Sequence, residues 1–198
     1  DGFEIRNSGA TSYGIYVKNS GITIRDCDIH DAWRGIGLIY GSGSITEQDA
    51  LIDFCAVHDN TGAGVFINDA DNPGVSLQYT AVYGNGGAGV YSQATNTDLS
   101  NCTVAHNGGD GVDLVNSTGN VIIQSIVASN GGYGISCAST TPDLSYNDVW
   151  GNASGDYSGC SAGPNSISED PIFCDGPGGD VAVHATSPTL ATGMGALG

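Results

Sequence analysis

Positive charge all but vanishes from this sequence after its first 34 residues. Arg6, Lys18, Arg25 and Arg34 stand against 21 acids, for a net charge of −17 over 198 residues. Nucleic-acid binding is disfavoured, because neutralising phosphates needs Lys and Arg. An anionic membrane surface is disfavoured for the same reason. A polyanionic sugar chain would be repelled unless a cation such as Ca²⁺ bridged it. Long apolar runs are missing as well. None approaches the ~20 residues of a membrane span, so no membrane insertion is expected. Sustained 3.6-residue periodicity is absent and Leu, Lys, Glu and Met are scarce, which excludes long helices. No CxxC or paired-His spacing points to zinc, and no EF-hand loop points to a dedicated calcium site. Charged residues total only 13%, and the acidic balance reads as solubility of an exported protein.

What is abundant is glycine, 32 residues of it, and it is ordered. A Gly followed by an apolar residue recurs at Gly14, Gly35, Gly64, Gly89, Gly111 and Gly134, at spacings of 21, 29, 25, 22 and 23. Asn60, Asn85, Asn107 and Asn130 lie four residues before the last four of these, and Asn152 continues the series. Val57, Val82, Val104 and Val127 lie seven before, flanked by Ile29 and Val149; Ile52, Leu77, Leu99 and Ile122 lie twelve before. Each unit holds three short strands separated by turns. A period in the low twenties with three strands fits one coil of a parallel β-solenoid, whose core is a column of like side chains. The Gly and Asn positions are expected at sharp turns needing positive φ, with the Asn side chains laddering up the stack. An antiparallel sandwich is the rival, but it calls for hairpin turns every 8–12 residues.

A further column, Cys27, Cys55, Thr80, Cys102, Ser125 and Asn147, is small and suited to an inward corner. On these repeats the chain resembles the right-handed parallel β-helix proteins of the pectate-lyase-like superfamily, in which an inward Asn ladder occupies this corner. The tail is similar too. Asn165 to Asp175, then Gly179-Asp180, then Ser187-Pro188, resembles the closing segment of secreted bacterial members. The expected fold is therefore all-β: a right-handed single-stranded parallel β-helix of about seven coils over residues 1–152, with an irregular cap over 153–198 covering the open end. The resemblance implies a secreted or cell-surface bacterial protein. The sequence opens inside a strand-like pattern, which reads as a mature form or a piece of a longer exported protein. Its first coil then presents an open edge, a place for end-to-end contact with a neighbouring coil or partner.

Four of the six cysteines read as core positions: Cys27, Cys55 and Cys102 in the corner column, Cys137 in an inward column with Val17, Leu38, Ile67, Ser92 and Leu114. Cys27 and Cys55 lie one coil apart, and whether they pair is left open. Cys160 and Cys174, 14 residues apart in the loop-rich tail, are expected to form a disulfide stabilising the cap by roughly 3 kcal/mol.

In the superfamily, catalytic groups sit on the outer face of the strand after the Gly turn. Outward positions there are Tyr16 and Lys18, Gly37 and Ile39, Phe66 and Asn68, Tyr91 and Gln93, Asp113 and Val115, Ser136 and Ala138. Lyases need a base and cation-binding acids; glycosidases need two spaced carboxylates. Lys18 and Asp113 each stand alone, so no catalytic motif carries over. Tyr16, Phe66 and Tyr91 are candidates for stacking on sugar rings, with Asn68, Gln93 and Asp113 bonding hydroxyls. The bland alternative is that the aromatics pack on one another along the stack. His30-Asp31 and His58-Asp59 repeat on adjacent coils with Arg34 nearby. His30, Arg34 and Asp113 are thus the candidates for base or acid work. Asp69 and Asp71 lie in an oxygen-rich loop, the best place for a Ca²⁺, though no cofactor is required. The expected role is an extracellular structural or glycan-contacting module without an evident catalytic site. The alternative is a polysaccharide lyase or glycoside hydrolase working on the outer face.

Overall fold

The computed structural model describes residues 2–6, 11–41, 49–69, 74–94, 96–175 and 179–195. The strands repeat in threes. The first turn holds β1 (Glu4–Arg6), β2 (Tyr13–Lys18) and β3 (Ile22–Arg25); the second β4 (Asp28–His30), β5 (Arg34–Tyr40) and β6 (Ala50–Asp53). The third holds β7 (Ala56–His58), β8 (Val65–Asp69) and β9 (Val75–Gln78); the fourth β10 (Ala81–Tyr83), β11 (Val90–Ser92) and β12 (Thr97–Ser100). The fifth holds β13 (Thr103–Ala105), β14 (Val112–Val115) and β15 (Val121–Ile123); the sixth β16 (Ile126–Ala128), β17 (Tyr133–Ala138) and β18 (Asp143–Ser145). β19 (Asp148–Trp150) and β20 (Gly155–Ser158) begin a seventh. Each strand pairs in parallel with its equivalent one turn away, giving three sheets of seven, seven and six strands. This is the expected all-β parallel solenoid.

The core is the predicted set of columns. Val57, Val82, Val104, Val127 and Val149 pair in register and are fully buried. Ile52, Leu77, Leu99 and Ile122 do the same in the third sheet. Every strand between the two ends of the stack shares its backbone bonds with a turn on each side, which meets the ladder groups that burial takes out of water.

The Asn series forms the expected ladder. Asn60 Nδ2 donates to Asn85 Oδ1 (2.9 Å), Asn85 to Asn107 (2.9 Å), Asn107 to Asn130 (3.0 Å) and Asn130 to Asn152 (2.9 Å). The reason expected for the glycines needs correcting. Positive φ falls on the residue before each rung: Asp59, Gly84, His106, Ser129 and Gly151. Neither the rungs nor the repeat glycines adopt it. A Cβ on Gly111 would instead press 2.5 Å from Val127 Cγ1 and 2.7 Å from Asn130 Nδ2. The glycines are there because the next turn's valine and ladder amide lie against their Cα atoms.

The corner column points inward as a second ladder. Cys55 N donates to Thr80 Oγ1, Cys102 N to Ser125 Oγ and Ser125 N to Asn147 Oδ1. Cys27 and Cys55 are unpaired thiols whose Sγ atoms donate to Arg25 O and Asp53 O. Burial pushes the Cys55 thiol up to about 11 and Cys102 up to about 12, which keeps them protonated and inert.

The disulfide is not the expected one. Cys160 bonds to Cys137, Cα atoms 5.7 Å apart, and Cys174 is free and exposed. A separation of 23 residues is one turn, so stacking sets Cys160 beside Cys137. Closeness along the chain was the wrong guide.

The tail does two things. Residues 163–169 run along the last turn: Ile167 N donates to Asn147 O, and Val149 N to Ile167 O. An antiparallel hairpin, β21 (Phe173–Asp175) and β22 (Asp180–Val183), and a short 3-10 turn at Pro188–Ala191 then follow. This strap lies along the outer face of the first sheet. Phe173 meets His106 edge-on at 5.5 Å, Met194 packs with Ile126 and Ala128, and Gly195 N donates to Gln124 O. The tail therefore covers a flank as well as the last turn. Among the described residues no helix is long and apolar enough to cross a membrane.

Candidate functional site

Parallel pairing carries one outward column of the second sheet through six turns: Tyr16, Gly37, Phe66, Tyr91, Asp113 and Ser136. Gly37 leaves a gap in this column, and Tyr13 closes it. A Cβ at residue 37 would run into the Tyr13 ring. Tyr13 also packs against Tyr16, centroids 5.1 Å apart, and edge-on against Trp33 at 5.6 Å.

Arg34 stands opposite Tyr13 in register and donates from Nη1 to its hydroxyl at 3.0 Å. The guanidinium carbon lies 3.5 Å from the Phe66 ring centroid and 4.1 Å from that of Trp33. Phe66 and Tyr91 stack at 5.1 Å with planes 4° apart. Cation–π contacts contribute about 0.5–2 kcal/mol each and stacked rings about 0.5–1.5 kcal/mol. The strip is thus held in place before any ligand arrives, which reduces the ordering cost of binding. Among the described residues no carboxylate lies within ion-pair distance of Arg34, although the chain has 21 acids.

An open groove of about 330 Å³ is lined by Trp33, Arg34, Phe66 and Tyr91 together with Gly62, Ala63, Gly87 and Ala88. The small residues keep it open and are tightly bound in place. A Cβ on Gly62 would sit 2.7 Å from Trp33 O, and one on Gly87 2.9 Å from the Gly62 carbonyl carbon.

Asp113 continues the strip beyond Tyr91. Burial raises its carboxyl above the usual range, Asp110 pushes the same way, and a hydrogen bond with Ser136 opposes both. Burial also raises the Tyr91 hydroxyl, with Asp113 adding to the effect and Arg34 countering it. Arg34, Tyr91 and Asp113 therefore share one electrostatic neighbourhood.

Of the residues singled out in the sequence, the groove brings together Phe66, Tyr91 and Arg34. Tyr16 is 52% exposed at one end of the strip and Asp113 lies at the other. Asn68 and Gln93 occupy the neighbouring strands β8 and β11 or their edge, one outward position further along. Tyr13 and Trp33 went unnoticed, because each precedes the repeat glycine and the outward positions were counted only after it. The signal for Tyr13 was a glycine interrupting an otherwise aromatic outward column.

His30 and Arg34 belong to different faces. His30 stacks on His58 at 5.0 Å, and His58 on Tyr83 at 4.8 Å, along the first sheet. Both nitrogens of each imidazole meet carboxylates: Asp31 and Glu4 at 3.2 Å for His30, Asp59 and Asp28 at 2.8 Å for His58. A ring bonded at both nitrogens is a strut between turns, with no free lone pair facing a substrate. Asp71 lies outside the described residues, and Asp69 closes β8. Among the described residues no group of three or more His, Cys, Asp or Glu is arranged to hold a metal.

A family model described as "Right handed beta helix region" matches residues 13–172. Among solved structures, the crystal structure of the periplasmic alginate epimerase AlgG is similar, with a TM-score of 0.66 and 16% identity. The match covers 84% of this chain and 44% of that one, so the chain spans less than half of AlgG's length. At that identity the likeness is one of fold. No curated protein matches the chain in sequence.

Proposed function

Because the chain belongs to the right-handed β-helix family, matched over residues 13–172, its function is to be sought on its outer faces, and we propose that it is a glycan-contacting module. A sugar chain lies along the second sheet, on the strip formed by Tyr16, Tyr13, Trp33, Arg34, Phe66 and Tyr91. The observation that carries this reading is the ready-made groove of aromatic faces around a cation that has no carboxylate partner among the described residues. Successive turns rise about 4.8 Å, a repeat comparable with one pyranose ring. Aromatic faces stack on the apolar side of such rings, and guanidinium N–H groups bond hydroxyls or a single carboxylate. The net charge of −17 favours a neutral or sparsely charged glycan over a dense polyanion. AlgG is an alginate epimerase, which agrees with glycan contact as a use of this fold. The Cys137–Cys160 bond suits an oxidising, extracytoplasmic compartment.

The test is a glycan array followed by calorimetry on the best ligand. Tyr91→Ala and Arg34→Ala should each weaken binding about tenfold or more, as loss of a buried anchor does. Binding left intact in both variants would exclude the groove.

A second reading, a carbohydrate-active enzyme, draws on Asp113, a carboxyl with raised proton affinity beside Tyr91 and Asp110. Incubation with plant and algal polysaccharides, with Ca²⁺ present, tests it. New reducing or unsaturated ends that disappear in Asp113→Asn would favour the enzyme; unchanged polymers would leave the contact role.

A further inference from the structure

Two outward columns of the first sheet change character along the stack. Arg6, His30, His58 and Tyr83 give way to Ala105, Ala128 and Trp150, and Ala56 and Ala81 lead to Thr103, Ile126 and Asp148. The apolar stretch is the seat of the C-terminal strap: Thr103, Ala105, Ile126 and Ala128 are all buried beneath it. One residue in that seat does not fit. Asp148 is fully buried, and its Oδ2 has no hydrogen-bond partner among the described residues. Its Oδ1 accepts from Glu169 N at 3.1 Å, and its backbone bridges to Ile167.

Among the described residues, the titratable groups that act on Asp148 come from β20 and the tail and are all acidic. β20 supplies Asp156 and Tyr157; the strap supplies Glu169 and Asp170. Asp156 is itself tied to the strap, accepting from Ser168 Oγ at 2.9 Å, and to the Asn ladder through Asn152 Nδ2. No Lys or Arg occurs after residue 34, so no permanent cation from this end of the sequence answers the charge.

We propose that Asp148 is a protonation latch: as a neutral acid it seats the strap, and as a carboxylate it loosens residues 163–195 from the flank of the first sheet. Ionisation places an uncompensated charge on a buried side chain beside the half-buried Asp156 and the exposed Glu169 and Asp170, and unseating the strap relieves it by admitting water. Burial, with Glu169, Asp156 and Asp170 adding to it, raises the Asp148 carboxyl from 3.8 to about 6. The sign follows. The raised acid favours the docked form below the ordinary carboxylate range, and that advantage is lost as pH rises through about 6. Loosening uncovers Ile126, Ala128 and Met194, an apolar patch on the opposite side of the pH switch from the covered state.

Amide hydrogen exchange over residues 163–195, corrected for intrinsic rates, tests this in the intact chain. His106 also touches the strap through Phe173, and its proton affinity is lowered by burial. Comparison with Asp148→Asn at each pH removes that contribution, since both proteins carry His106. The ratio of wild-type to Asp148→Asn protection should fall about 60-fold between pH 4 and pH 8, as a shift from 3.8 to about 6 requires. Parallel pH profiles in the two proteins would overturn the latch. Glu169→Gln removes one facing charge and keeps the backbone donor, so the wild-type midpoint should move to lower pH. An unmoved midpoint would also overturn it.

Discussion

Replacing Asn107 by alanine takes out the middle rung of the ladder, and its cost can be worked from the bonds it makes. Asn107 Nδ2 donates to Val82 O at 3.1 Å and to Asn130 Oδ1 at 3.0 Å. Its own Oδ1 accepts from Asn85 N at 3.1 Å and Asn85 Nδ2 at 2.9 Å. Asn107, Asn85, Asn130 and Val82 are all buried, so water does not replace the lost partner. A hydrogen bond in a protein nets about 1 kcal/mol, and an orphaned buried group costs about 1–3 kcal/mol. Four bonds at that rate sum to about 4 kcal/mol, roughly a quarter to four-fifths of the stability of an ordinary domain. Urea denaturation followed by circular dichroism should show a lower midpoint with little change in slope. The exposed Asn68→Ala is the control and should stay within about 0.5 kcal/mol of wild type. A loss below about 1 kcal/mol in Asn107→Ala would refute the ladder as a major source of stability.

Three further outcomes follow from the packing. Gly111→Ala should cost about 1–3 kcal/mol in the same assay, because its methyl has only Val127, Asn130 and the Gly134 carbonyl to displace; a neutral result would return the glycine to a turn role. Cys160→Ser should cost about 3 kcal/mol by opening a loop of 23 residues, whereas Cys174→Ser should be neutral under the same oxidising conditions. Burial lowers the proton affinity of His106. Its contribution to stability is therefore present above pH 6.5 and lost as pH falls below that, and His106→Gln should remove that part of the acid sensitivity; identical acid titrations of the two proteins would contradict it.

The period and the core were legible because stacking makes like residues recur: Val57, Val82, Val104 and Val127 announce an inner line. The physical role of the glycines was not, since a Cβ clash with the next turn leaves the same trace in a sequence as a positive φ. Cys137 and Cys160 were missed as partners because neighbours in a solenoid are one period apart, beyond the reach of local reasoning. The strap was written in Ala105, Ala128 and Ile126, apolar residues at outward positions, which only make sense once something covers them. In the groove, Phe66 and Tyr91 followed from register alone. Tyr13, the first residue of β2, and Trp33, in the bend before β5, precede the outward positions counted after each repeat glycine, so that count gave them no direction.

The claim beneath all of this is that equivalent positions rise in even steps along one axis. Spin labels at Lys18→Cys and Ala138→Cys, in a Cys174→Ser background, test it directly. Lys18 and Ala138 are exposed and lie two residues beyond Tyr16 and Ser136, which are five register steps apart. Pulsed dipolar spectroscopy should give a single distance near 24 Å, five turns of about 4.8 Å each. A broad distribution, or a maximum far from that value, would contradict the stacked arrangement and the aromatic strip built on it.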